Sequence, residues 1–360
     1  MTDLAQTCAT IRQLSQGLRA STGRPVRIME ICGTHTVSIS RSGLRAMLGD
    51  DLSLVSGPGC PVCVTDGGYI DLARELALRK GFAVATYGDM VRVPGSQGSL
   101  ADARADGADV NVVYAAHQAV ALAAARPGRQ VVFLGIGFET TAPASALAIK
   151  RARRMKLDNF SVLSAHKLVP PAMTALLDDP RIGIDGFLCP GHVSVIIGSD
   201  AYEPIVRRYG RPCVTAGFEP VNIAAGLLEI FRQLSDGVAA VGNVYPPVGP
   251  HGNTAALGLL KEVFRPCDAR WRAIGVIPAS GLAIADEFTD MDAFRRFNLS
   301  ERHVPDPPDC RCGQVITGQC APTDCPLFGS VCTPRSPIGP CMVSSEGSCA
   351  AFYKYHRRAN

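Results

Sequence analysis

Much that would point to a common function is missing from this chain. It has one tryptophan, and aromatic residues make up 6% of its 360 residues. No basic stripe interleaved with aromatics occurs, and 36 basic against 32 acidic residues leave a net charge of only +4. Nucleic acid is therefore not an expected partner. No apolar run approaches the roughly 18 residues that a spanning helix needs, so no membrane insertion is expected. The opening MTDLAQTCATIRQL has no basic region followed by an apolar stretch. No secretory leader is expected from it, and a cytoplasmic location is. No Gly-x4-Gly-Lys-Ser/Thr phosphate loop appears. The short run Arg151, Arg153, Arg154 and Lys156 reads as the polar end of a helix, where cations oppose the negative end of the dipole.

What the chain has in abundance is sulfur. Fourteen cysteines in a reducing compartment are not expected to be structural disulfides, so metal binding or redox chemistry is the expectation. Seven of them fall between Cys310 and Cys349, in a Pro- and Gly-rich stretch without long periodic runs. Such a stretch buries little apolar area and needs another staple. Thiolates select zinc, copper(I) or iron–sulfur clusters. The paired Cys-x-x-Cys knuckles of structural zinc are absent there. The wide spacing suits a bulky cluster, while an irregular zinc site or reduced structural thiols are alternatives.

Near the start, Cys60-Pro61-Val62-Cys63 sits between a glycine loop and a helix that Asp66 is placed to cap. A helix N-terminus lowers thiol pKa, and the pair can cycle between dithiol and disulfide. Half of a zinc site is the competing reading, with Cys32 and His35 as the other half. Cys32 follows a strand and is flanked by Gly33, Thr34 and His35. It reads as a nucleophile or a metal ligand, with a small buried packing residue as the alternative. Cys8, Cys189, Cys213 and Cys267 stand singly in apolar or helical surroundings and are assigned to packing. Glu139 and His192 are candidate supporting groups.

From about residue 25 to 235, short apolar strand runs alternate with helical stretches, which argues for βαβ units and parallel sheets. Expected strands are 26–31, 52–55, 83–86, 110–114, 131–134, 161–163, 186–188 and 212–215. Expected helices include 68–80, 115–125 and 142–155. Nearly every strand ends in a glycine-bearing loop carrying Cys, His, Asp or Glu, and sites in open α/β sheets form at those carboxyl ends. The loops are expected to converge on a cleft. Gly-Phe-Glu occurs twice, at 137–139 and 217–219.

The ordered set MEICGTHT (29–36), GPGCPVC (57–63), YGDMVRVPG (87–95), GFETTAP (137–143), PGHVS (190–194), AGFEP (216–220), CPLFG (325–329) and GPCMVSSEGSCAA (339–351) resembles the HypD family of hydrogenase maturation factors over roughly residues 25–355. The resemblance implies two parallel-sheet α/β domains and a small Cys-rich domain with a [4Fe-4S] cluster. The expected spans are 1–120, 121–265 and 266–360, and either α/β domain can be discontinuous. It implies Cys312, Cys325, Cys332 and Cys349 as cluster ligands, with Cys341 inside that frame. Cys32 becomes the thiolate that presents the iron of an Fe(CN)2CO group, and Cys60 and Cys63 become the redox pair. Partners implied are a HypC-type chaperone, a HypE-type cyanide donor and, indirectly, the hydrogenase large subunit. A redox-active assembly scaffold is the leading expectation. A stand-alone thiol–disulfide oxidoreductase, an iron–sulfur hydro-lyase and a zinc-stabilised binding module are the alternatives.

Overall fold

A computed structural model describes residues 3–356. The chain opens with a helix, Leu4–Thr22, capped by the Asp3 side chain on the Ala5 amide. It then lays down nine parallel strands: β1 Val26–Glu30, β2 Leu52–Ser56, β3 Phe82–Thr86, β4 Val110–Val112, β5 Gln130–Gly137, β6 Phe160–His166, β7 Gly186–Pro190, β8 Cys213–Ala216 and β9 Val241–Asn243. The expected helices form as Gly67–Leu78, Ala116–Ala125 and Ala142–Arg154. The basic run ends the last of these, as its charge pattern anticipates.

The strands make two parallel sheets, ordered β2-β1-β7-β8-β9 and β4-β3-β5-β6. Strands β5, β7 and β8 are almost wholly buried, as sheets covered by helices on both faces require. Each fully enclosed Phe133, Phe160 or Phe187 ring contributes about 1.5–3 kcal/mol of burial.

Strand pairing crosses residue 120. β3 and β4 precede it and β5 and β6 follow, yet all four share one sheet. The other sheet takes β1 and β2 from the start of the chain and β7 to β9 from beyond residue 185. The second sheet is thus an insertion into the first. Strand order follows which apolar faces meet in space, which composition along the chain does not encode.

Two further strands, β10 Phe264–Trp271 and β11 Gly275–Ile284, form an antiparallel hairpin. Its sequence, with Pro266, Arg265 and Asp268, carries no clean alternation, so the strand pattern did not announce it. Trp271 anchors the hairpin by stacking on Phe138 at 5.9 Å. Residues 304–347 then run as turns and short helical pieces before the final helix Ser348–Tyr355. No helix among the described residues is long and apolar enough to cross a membrane.

Candidate functional site

β1 ends by delivering Cys32 to the N-terminus of the helix Gly33–Ser42. The loop after β2 delivers the second motif to the same point. The Gly33 amide donates to the Gly59 carbonyl at 3.2 Å. A Cβ on Gly59 would lie 2.3 Å from the Cys32 nitrogen, so only glycine permits this approach. The two loops therefore touch backbone to backbone. Immediately after Gly59, Cys60 and Cys63 are joined as a disulfide, with Cα atoms 5.2 Å apart. Both are buried. Asp66 caps the following helix through the Gly68 amide, as its position suggested.

The ring beside Cys32 is His192, not His35. The His192 Nε2 lies 3.6 Å from the Cys32 sulfur. His35, one helical turn in, directs its Nε2 to the Gly217 carbonyl at 3.0 Å. The Phe218 ring packs against both imidazoles, at 4.9 Å from His35 and 4.8 Å from His192. The AGFEP motif is thus the wall that holds the two histidines. Burial pushes the His35 pKa down to about 4 and lowers that of His192, so both rings are neutral near pH 7.

Burial also drives the Cys32 thiol up to about 12, and the Glu346 carboxylate pushes the same way. The amides of Thr34 and His35 at the helix N-terminus pull in the opposite direction. A free Cys32 is therefore a neutral thiol, and a cation is needed to hold it as thiolate. Beneath it, Glu30 accepts from Thr36 and Ser56 at 2.9 and 2.8 Å and ties β1 to β2.

Glu346 marks a connection that motif reading did not reveal. Thr34 donates to it at 2.6 Å, and Gly33 lies so close that a Cβ would sit 2.5 Å from Glu346 atoms. The Cys-rich segment thus reaches the Cys32 loop. The YGDMVRVPG motif holds that segment in place. Asp89 accepts from the Ser344 hydroxyl and Ser345 amide at 2.9 and 3.1 Å, and Arg92 donates to the Pro334 carbonyl.

Glu139 is elsewhere. At the end of β5 it accepts from the Val169 amide at 2.8 Å, and its second oxygen is buried without a partner. Burial raises its pKa to about 7. Its motif has a structural task. Gly137 has φ +148°, and Thr141 fills the space a Cβ would need.

Of the C-terminal thiols, Cys312, Cys325, Cys332, Cys341 and Cys349 are buried, and Cys310 and Cys320 are half-buried. Cys341 and Cys349 have their sulfurs 3.0 Å apart, and Cys312 hydrogen-bonds to Cys341. The Cys310 and Cys312 sulfurs both flank Gly339. Burial, then the neighbouring thiols of Cys312, Cys325 and Cys332, push Cys310 up to about 12. The Ile338 amide points at the Cys332 sulfur at 3.4 Å. Among the described residues, no three His, Cys, Asp or Glu side chains close around a single metal ion. The donor set is all thiol, the chemistry that a thiolate-bound zinc ion or iron–sulfur cluster needs. Cys8, Cys189 and Cys213 are buried, and Cys267 is half-buried on β10.

A buried strand-end thiol faced by a neutral imidazole, with a disulfide loop packed on its backbone, defines a cysteine-centred α/β protein of two parallel sheets. The family model described as "Hydrogenase formation hypA family", HypD, matches residues 6–356. The hydrogenase maturation factor HypD of Cupriavidus necator is 47% identical over 348 residues, spanning 94% of this chain and 92% of that protein. HypD of Azotobacter vinelandii is 46% identical over 360 residues, 97% and 95% of the two chains. HypD of Escherichia coli is 43% identical over 352 residues, 97% and 94%. This chain belongs to the HypD family of hydrogenase maturation factors.

Proposed function

We propose that this protein is a scaffold on which the Fe(CN)2CO group of [NiFe] hydrogenases is assembled, with the iron carried as cargo on Cys32. The observation that carries the reading is the meeting of three elements at one loop: Cys32, His192 at 3.6 Å from its sulfur and the disulfide loop in contact with its backbone. Ferrous iron bearing cyanide and carbon monoxide suits a soft thiolate. On binding iron, Cys32 loses its proton and the cation takes the place of the proton's stabilisation. His192, neutral and adjacent, is positioned to accept that proton or to face the bound iron. The Cys32 side chain itself is buried, which limits the access of water to the sulfur.

Cys60 and Cys63 are the electron store. Oxidation of the dithiol to the disulfide releases two electrons and two protons. Both sulfurs are buried, so a large disulfide substrate does not reach them, which weighs against a stand-alone oxidoreductase. The C-terminal pocket is assigned to a [4Fe-4S] cluster held by Cys312, Cys325, Cys332 and Cys349, with Cys341, which contacts both Cys312 and Cys349, inside the same frame. Such a cluster supplies single electrons when bound. Four protein ligands leave no iron open for substrate, which weighs against a hydro-lyase.

A HypC-type chaperone shares the iron, a HypE-type protein supplies cyanide, and the hydrogenase large subunit receives the finished group, all in the cytoplasm. The test is infrared spectroscopy of the complex purified with its chaperone. Cyanide and carbonyl bands are expected in the wild type, lost in Cys32→Ala and absent in Cys60→Ala/Cys63→Ala. Accumulation of the dicyanide–carbonyl iron in the double variant would show that the dithiol is not the electron store.

A further inference from the structure

A surface far from the thiols combines exposed apolar side chains with unpaired cations. At the edge of the second sheet, the turn from β4 into the helix Ala116–Ala125 leaves Tyr114 89% exposed and Val112 43% exposed. Beside it, a groove of about 580 Å³ lies between the start of that helix and the helix Ala142–Arg154. Alanines line much of it, Leu147 stands 58% exposed, and Lys150, Arg151, Arg154 and His117 complete the lining. No acidic residue lines it. Lys150 pairs with Glu262 at 2.7 Å, but neither Arg151 nor Arg154 is in an ion pair among the described residues.

Exposed aromatics and aliphatics gathered at one groove mark interaction sites, and Tyr and Arg are the side chains that dominate interface energetics. Small residues along a two-helix groove let a third helix approach closely. The cationic side selects the sign of what lies there. We propose that this groove docks an amphipathic helix of a partner protein, its apolar stripe seated against Leu147 and the alanines and its acidic flank facing Arg151 and Arg154. A second copy of this chain docking symmetrically through the same groove is a poor occupant, since it would bring the same cations to the contact.

The reading as a maturation scaffold enters only in the choice of probes. The small chaperone and the cyanide-donating protein are each purified and titrated against the full chain by calorimetry. Leu147→Glu and, separately, Arg151→Glu/Arg154→Glu are expected to weaken one partner about tenfold or more. Wild-type affinity for that partner is expected to fall with salt, and less steeply in the charge-reversed variant. Both charge-reversed positions face solvent on the helix, so that variant stands as the test if Leu147→Glu fails to fold. Wild-type affinity of both variants for both partners overturns the proposal, as does selective retention of RNA instead of protein. The infrared bands of the iron-loaded variants report separately on the scaffold reading, because no groove residue touches Cys32 or the thiol pocket.

Discussion

The two sulfur regions of this protein are built on opposite principles. Cys32, Cys60 and Cys63 are positioned by backbone. A parallel sheet places two strand ends side by side, and the glycine at 59 lets the loops touch. The C-terminal thiols are positioned by turns, short helices and one another, over a small set of buried apolar side chains that includes Val315, Ile316 and Met342. The first region is built into the sheet, whereas the second is fastened to the rest by Asp89, Arg92 and the Thr34–Glu346 contact.

That contrast can be broken by experiment. The largest expected effect is Cys32→Ala, which removes all cyanide and carbonyl infrared intensity while leaving the unfolding midpoint within a degree or so, since a buried sulfur alone is lost. Next is Cys332→Ala. Anaerobically purified protein is expected to lose most of its iron and sulfide and to be cut by protease within residues 304–349, while the sheets melt as before. Equal destabilisation of both regions would erase the distinction between them.

Gly59→Ala tests the backbone contact. The added Cβ collides with the Cys32 nitrogen, and a loss of about 2 kcal/mol in urea unfolding is expected, together with weaker iron retention. An unchanged midpoint would mean that the two loops are free to part. Glu346→Gln probes the link between regions. Removing the carboxylate lowers the Cys32 pKa, so alkylation at fixed pH is expected to rise about threefold. The smallest effect concerns Glu139. Its folded pKa of about 7 lies above the ordinary 4.5. The folded state thus retains a proton that the unfolded chain releases. Stability from this group is full below about pH 4.5 and falls as pH rises to about 7. Glu139→Gln is expected to flatten that slope, measured as urea midpoints at about pH 5 and pH 7.5.

Much of this was legible in the chain itself. Apolar runs of three to six residues, most of them leading into a glycine-bearing loop, located β1 to β8, and Asp66 announced its cap. β9 and the β10–β11 hairpin escaped notice. Val241-Gly-Asn is three residues long, and the hairpin breaks alternation with Pro266 and Asp268. At the site, Cys32 and the 60–63 pair were recognisable from their loops. The role of Phe218 was not, although its motif stood out, because its partners lie 183 and 26 residues away in the sequence.

What the sequence determined alone is therefore local: which segments become strands and helices, where caps and glycine turns fall, and which thiols stand at strand ends. These follow from side-chain periodicity and backbone preferences over a few residues. Tertiary structure alone decided that β1 lies beside β7, that His192 rather than His35 faces the Cys32 sulfur, and that Glu346 reaches back to Thr34. Each joins residues more than 150 positions apart. Such contacts are selected by how buried faces pack together, and no short stretch of chain carries that information.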